Sequence, residues 1–515
     1  MRTTGKLTHR SRQSCLVQIG LQVRLRVRCF LPIAGACCIF AGSSEAAPPL
    51  YARRVDPQPG FSIVKEIRRT IPPLRHDRGS RWPMIMWDAG SFEPQPPDYY
   101  RALLARGVTQ HIRLDEAMIP TAQALQAAGS PVIMMEGRGG AYPYSAAGEP
   151  KDWQHQFDAG YAPDEDEHVH ACPAIVKGWA INADRIRATL QRFKDAGVTV
   201  NAVWMDWEVE PAEGAGRYEQ AIHCGRCRAT LPKIVLASEA AFSAYCMRKY
   251  HELVGVYMAG PVGEIFPGCS TTNWNATVSS PLHPILGWRQ KPFSPRVPPV
   301  FTATNPIAYG MTMFFDQWKK SYPLDREHVD QLYTHLLMRE VSTDAANRKI
   351  FAPHLESVPW VARWCSDGAQ NEHAQRPIMS RERYREVLRH LWLRGIKTMQ
   401  VFNAVMPGYE EMALYEVQDA VAVYDEMLDI GDFLENGEVM NLQSPKIQDS
   451  GVVLSGLRVG DRAVVRTFKQ GEGTARVTVE AWPKTRVRLT GTPEGKTYLL
   501  QKAQNQTVSV TALER

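Results

Sequence analysis

Three acidic side chains occupy alternate positions in the run Asn201-Ala202-Val203-Trp204-Met205-Asp206-Trp207-Glu208-Val209-Glu210. On an extended strand, successive side chains point to opposite faces. Trp204, Asp206, Glu208 and Glu210 would then share one face, and Val203, Met205, Trp207 and Val209 the other. The second set is apolar and suits packing beneath helices, so the first set would point into a cleft. Carboxylates two residues apart on one face lie about 7 Å apart along the strand, and each disfavours ionisation of the other. The less solvated one keeps its proton near neutral pH, as a general acid must. The competing reading is an ion pair with Arg113 or Arg138 on neighbouring strands, because structural networks also gather carboxylates.

Positioning such a group needs a scaffold, and the chain supplies a repeating one. Eight short apolar runs read as strands: Met84–Asp88, His111–Asp115, Val132–Glu136, Ala202–Glu208, Ser270–Asn275, Phe301–Asn305, Ile350–Glu356 and Thr398–Asn403. Most are followed by helical signals. Ile186, Leu190 and Phe193 recur at helical spacing before Gly197, and Ser380 caps a stripe of Tyr384, Leu388 and Leu391 that ends at Gly395. A long helical pattern covers Tyr409–Leu428, while the segment after the fifth strand offers only Leu282–Trp288. This alternation predicts an α/β chain with a (β/α)8 TIM barrel over residues 81–435. The alternative is a doubly wound open sheet, but no Gly-rich phosphate fingerprint follows any strand. Residues 47–80 read as an irregular N-terminal arm. From residue 446 to 515, six short β-rich runs separated by Gly, Pro and Lys predict a small antiparallel β-sandwich.

In a barrel of this kind, reactive groups sit at the C-terminal ends of strands. That rule nominates Asp88, Arg113, Glu136, Arg138, Asn273, Asn305, Tyr309, His354 and Asn403 as contacts for a hydroxyl-rich substrate, beside Asp206, Glu208 and Glu356. The loop after the third strand carries Tyr142, Tyr144, Trp153, His155, Phe157 and Tyr161. These rings suit stacking on a pyranose, and equally suit packing the loop itself.

Asp206-Trp207-Glu208 resembles the fourth-strand signature of family-18 chitinases and the Asp-Trp-Glu of hyaluronidases. The likeness spans about ten residues, and where chitinases carry two further acids upstream this chain has Asn201 and Trp204. The resemblance implies Glu208 as general acid/base and Asp206 as the carboxylate that orients a substrate N-acetyl group, the internal nucleophile. A second resemblance, to the large group of retaining barrel glycosidases with acid/base after strand four and nucleophile after strand seven, implies Glu356 as nucleophile instead. That group has Asn before its acid/base, whereas this chain has Trp207. The two carboxyls of such a pair would stand about 5–5.5 Å apart.

The formal charge of +6 is concentrated at the N-terminus. Arg2, Lys6, Arg10, Arg12, Arg24, Arg26 and Arg28 precede an apolar Phe30–Gly42 and the small residues around Ser44–Ala46. Residues 1–46 therefore read as an export signal, with a lipoprotein variant through Cys37, and the apolar run is too short for an ordinary span. Without that leader the chain is near neutral, which gives no support for a nucleic-acid partner. Ten cysteines include six beyond the leader. Cys224 and Cys227 lack a second cysteine pair at zinc-finger spacing, so a local disulfide is expected there, with no metal and no cofactor. Asp164–His170 reads as a solvated acidic run. The expected function is a secreted or periplasmic retaining glycoside hydrolase on a poly- or oligosaccharide, with a non-catalytic glycan-binding barrel as the alternative.

Overall fold

The computed structural model describes residues 50–52, 54–87, 94–136, 155–162, 172–205, 218–275, 300–309, 318–364, 376–402, 407–446 and 451–513. Residues 48–515 form one compact unit, and the leader lies outside the described residues. No helix among the described residues is long and apolar enough to cross a membrane.

The core is a ladder of parallel strands: β1 (Met84–Met86), β2 (Val108–Gln110 and Ile112–Arg113), β3 (Ile133–Glu136), β4 (Ala202–Met205), β5 (Ser270–Asn275), β6 (Ala303–Ala308), β7 (Glu356–Ser357 and Trp360–Val361) and β8 (Gln400–Val401). Each strand from β3 to β7 pairs with its successor in the chain, and β8 pairs with β1. The first half of β2 bonds β1 and the second half bonds β3, with only His111 between them. The two ends of the ladder, Val108–Gln110 and Ile112–Arg113, are therefore consecutive in the chain but are not paired with each other.

Two apolar layers follow from strand alternation. Ile85, Ile133, Met135, Ala202, Trp204, Ala303, Ile307 and Trp360 make the inner cluster. Met84, Met86, Met134, Val203, Met205, Ala308, Val361 and Val401 belong to the outer one, which they share with the helices. The helices are α1 (Ile63–Thr70), α2 (Pro97–Leu104), α3 (Ile119–Ala127), α4 (Lys177–Asp195), α5 (Tyr218–Ile222), α6 (Gly225–Thr230), α7 (Glu239–Val254), α8 (Gly260–Ile265), α9 (Arg326–Phe351), α10 (Arg381–Trp392), α11 (Glu410–Leu428) and α12 (Gly431–Asn436). In α4 the expected stripe of Ile186, Leu190 and Phe193 is fully buried, and Gly197 takes the left-handed conformation past the helix end. Ser380 caps α10 by accepting from the Arg383 amide, and Gly395 repeats the left-handed stop.

Three expectations are corrected. Residues 47–80 are not irregular throughout: Ser62 caps α1, which buries Ile63, Val64 and Ile67, and Tyr51–Ala52 pairs antiparallel with Arg376–Pro377. Ile350 is not in a strand, because α9 runs to Phe351. Asp344 on that helix accepts hydrogen bonds from Thr304 (2.9 Å) at the start of β6 and Ser357 (2.7 Å) in β7. Finally, β6 begins at Ala303 and extends beyond the expected Asn305 to Ala308.

The C-terminal strands are β9 (Glu438–Val439), β10 (Val452–Val459), β11 (Arg462–Lys469), β12 (Ala475–Trp482), β13 (Thr485–Gly491), β14 (Lys496–Lys502) and β15 (Val508–Leu513). They form an antiparallel sheet in the order β9-β10-β11-β14-β15, with β12-β13 as a separate hairpin. Ala463, Val465 and Leu500 of the sheet share one cluster with Val479, Ala481 and Leu489 of the hairpin, consistent with a sandwich. The sheet is fastened to α10 by buried polar groups. Arg466 donates to Glu386 (2.7 Å), and Ser455 meets both His390 (2.9 Å) and Arg394 (3.0 Å).

Candidate active-site rim and a cysteine–histidine cluster

At the C-terminal end of the ladder, aromatic side chains follow one another across five strands. Trp87 follows β1 and Phe402 follows β8. Trp87 lies 4.6 Å from Trp360 and 4.8 Å from His111 between ring centroids. Phe402 stacks on Tyr309 at 4.3 Å and 1° and on Trp360 at 5.1 Å. Tyr309 and Trp360 are buried, whereas Trp87 and Phe402 are half-buried against the inner cluster. Burial, aided by the nearby Arg113 charge, lowers the His111 imidazole to about 4 and keeps it neutral. Of these rings only Tyr309 is among the nominated residues; Trp87, Trp360 and Phe402 are not. The signal was the inner-face parity of the residues just past Met86 and Val401.

Of the nominated residues, Asp88, Arg138, Asp206, Glu208 and Asn403 lie outside the described residues. Arg113 ends β2 in register with inner-face Met135 and is exposed, and Tyr309 follows β6, so both belong to the rim. Asn305 is on the inner face but fully buried, accepting from Gln400 (3.1 Å), which makes it a core polar group. Asp115 caps a short turn by accepting from the Ala117 amide.

Four nominations are corrected. Glu136 is in register with outer-face Met205, so it points toward the helices, where Arg185 of α4 is its ion-pair partner. Burial pushes its carboxyl up from the ordinary value while Arg185 pulls it down. Asn273 shares that outer register. Glu356 is in register with Ala303, the first residue of β6, whereas Val361 pairs with Ala308, the last. Glu356 therefore stands at the N-terminal end of β7, 42% exposed and 3.0 Å from Lys397. His354, in the preceding turn, is exposed at the same end.

The long loop after β3 meets the segment after β4. Gln156 and Gly225, Asp158 and His223, and Phe157 and Cys224 are joined through their backbones. Tyr161 stacks on His223 at 4.1 Å and lies near Phe157 at 5.0 Å, so these rings pack the loop. Tyr142, Tyr144, Trp153 and Asp164–His170 lie outside the described residues. Inside this junction sit His155, Cys172, Cys224 and Cys227, all buried, with ligand atoms within 4.8 Å of one another. Cys224 and Cys227 are free thiols, not the expected disulfide. Hydrogen bonds from Cys172 and Cys227 hold the Cys224 thiol far below its ordinary range, and the same contacts push Cys227 up.

In the C-terminal sheets, a crevice of about 370 Å³ is lined by Asn441, Gln443, Val452, Gln470, Thr478 and Glu480 among others. None of its lining residues is aromatic, so it lacks a stacking face for a sugar.

No family profile and no curated protein matches the chain. Similar solved structures are glycoside hydrolases. A β-galactosidase from the Antarctic haloarchaeon Halorubrum lacusprofundi has 13% identity and a TM-score of 0.42, covering 68% of this chain and 58% of that one. A cyclic α-maltosyl-(1→6)-maltose hydrolase from Arthrobacter globiformis has 10% identity and a TM-score of 0.40, covering 84% and 98%. A GH30 endoxylanase from Clostridium papyrosolvens has 9% identity and a TM-score of 0.36, covering 86% and 95%. At such scores the likeness carries no argument about activity; this chain spans only 58% of the length of the β-galactosidase.

Proposed function

We propose that this protein is a retaining glycoside hydrolase built on a (β/α)8 barrel, with Glu208 as general acid/base and Asp206 orienting the substrate. The observation that carries the proposal is the parity of β4. Trp204 lies in the inner cluster while Val203 and Met205 lie in the outer one. Were the alternation read from the sequence to continue past Met205, positions 206 and 208 would share the parity of Trp204. Among the aromatic residues at the same end of the ladder, the half-buried Trp87 and Phe402 would be the ones to meet the apolar side of a pyranose.

The position of Glu356 favours substrate assistance over a protein nucleophile. A nucleophile must share the cleft with the acid, and Glu356 is ion-paired at the opposite strand end. In the proposed reaction, Glu208 protonates the glycosidic oxygen as the substrate's N-acetyl carbonyl oxygen attacks the anomeric carbon. Glu208 then deprotonates the water that opens the resulting ring, and configuration is retained. The substrate class is therefore an N-acetylhexosamine-containing glycan. The same reading takes residues 1–46 as a cleaved export leader, so the secreted protein should begin near residue 47.

The test is reducing-end release from a panel of N-acetylhexosamine polysaccharides. Wild type should release sugar, and Glu208→Gln and Asp206→Asn should each lose at least about 100-fold in kcat, the range of general acid–base catalysis. Full activity in Glu208→Gln would overturn the assignment. Glycan binding by wild type with no release from any substrate would favour a lectin.

A further inference from the structure

We infer that His155, Cys172, Cys224 and Cys227 form a structural zinc(II) site that pins the loop after β3 to the segment after β4. The four residues come from three places in the chain: the β3–α4 loop, the approach to α4, and the start of α6. Their side chains nevertheless converge in one buried cluster.

The geometry fits a tetrahedral ion. With zinc–sulfur bonds of about 2.3 Å and zinc–nitrogen bonds near 2.0–2.1 Å, tetrahedral ligands stand about 3.8 Å (S···S) and about 3.6 Å (S···N) apart. Cys172 Sγ and Cys227 Sγ are 3.4 Å apart, and Cys227 Sγ is 3.6 Å from His155 Nδ1. Three sulfurs and one imidazole nitrogen make a closed set that leaves no position for water, which marks a structural rather than a catalytic zinc. Soft thiolates select zinc over magnesium or calcium.

Two further observations point to an ion rather than to packed thiols. Backbone amides are aimed at the sulfurs: the Gln156 amide donates to Cys224 Sγ (3.4 Å), and the Cys227 and Ala174 amides donate to Cys224 and Cys172. Such donors stabilise thiolates, the form that binds metal. The number of thiols is also odd. A disulfide between any two would leave the third thiol and the imidazole buried beside it, whereas one ion engages all four. Cys246 lies in the same apolar cluster but outside the ligand set, and provides an internal control. On binding, each protonated thiol releases its proton as the metal–sulfur bond forms.

The site has a mechanical role. Asp158 and Arg228 form an ion pair across the same junction, and Tyr161 stacks on His223. The zinc would hold together the two segments that flank the C-terminal exit of β4, independently of what that strand catalyses.

The test uses the full-length chain, purified without added metal. Elemental analysis should find one zinc per chain in wild type and in Cys246→Ala, and little in Cys227→Ser or in His155→Ala. Cobalt(II) substituted into chelator-stripped wild type should give the strong visible bands of a tetrahedral sulfur-ligated ion. Stripping should speed proteolysis between residues 155 and 228. Wild type that stays substoichiometric after incubation with excess zinc(II) and desalting would overturn the inference. So would a thiol count, in denaturant with chelator but no reductant, that falls short by a pair restored on reduction and traced to this cluster. Both readouts rest on wild type, so misfolding of a variant does not blunt them.

Discussion

Replacing Glu386 by Gln should uncouple the C-terminal sheets from α10. Glu386 and Arg466 are each only 5% exposed, and Arg466 also donates to Thr497 (2.8 Å). Burial alone would raise the Glu386 carboxyl, but Arg466 and His390 outweigh it and hold it at about 2, against an ordinary 4.5. A downward shift of that size corresponds to about 3 kcal/mol of stability at neutral pH. Because the folded-state value is the depressed one, the contribution is present above about pH 4.5 and is lost as pH falls through about 2. The Gln variant also leaves the Arg466 guanidinium buried without its anion, a change that costs about 3–5 kcal/mol in comparable sites. Urea unfolding followed by far-UV circular dichroism should show this deficit at pH 7. The gap to wild type should narrow by about 2 kcal/mol by pH 3. The double variant Glu386→Leu/Arg466→Met should recover most of the loss, because apolar replacement of a whole buried pair is often neutral. A Gln variant as stable as wild type at pH 7, or a deficit that does not change between pH 7 and pH 3, would refute the reasoning.

Two substitutions test the corrected site residues. Arg185→Ala should destabilise the fold by about 2 kcal/mol, because it strands the buried Glu136 carboxylate. It should leave KM unchanged, and a KM effect without a stability loss would return Glu136 to the cleft. Glu356→Gln should keep activity within about twofold and stability within about 1 kcal/mol, as expected for a half-exposed ion pair. A large loss of kcat, with azide rescue giving a glycosyl azide of inverted configuration, would reinstate it as nucleophile.

Much of the scaffold was legible because it rests on short-range rules. Ser380 and Gly395 bracket α10 through capping and a left-handed stop, and each expected C-terminal run lies inside an observed strand. The β4 alternation holds as far as Met205. The errors arose where local pattern underdetermines register. The apolar Ile350–Phe351 pair closes a 26-residue helix rather than opening a strand, and moving β7 along the chain carried Glu356 and His354 to the other end of the strand ladder. Glu136 was nominated by its place at a strand end alone, and its register with outer-face Met205 turns it toward the helices. The ligand cluster was hidden because only Cys224 and Cys227 are near in sequence. His155 and Cys172 reach them through the connectivity of successive β–α units, which no spacing motif encodes.

The division of β2 at His111 has a consequence for motion. In β1, β3, β4, β7 and β8 the same residues pair with both neighbours, whereas each half of β2, like each part of β5, pairs with only one. The two ends of the ladder are therefore joined by the covalent span through His111, whose ring lies 4.8 Å from that of Trp87. Opening of the strand ladder should start at that seam, where no backbone pairing joins the two halves of β2 and the Trp87–His111 contact is what spans it.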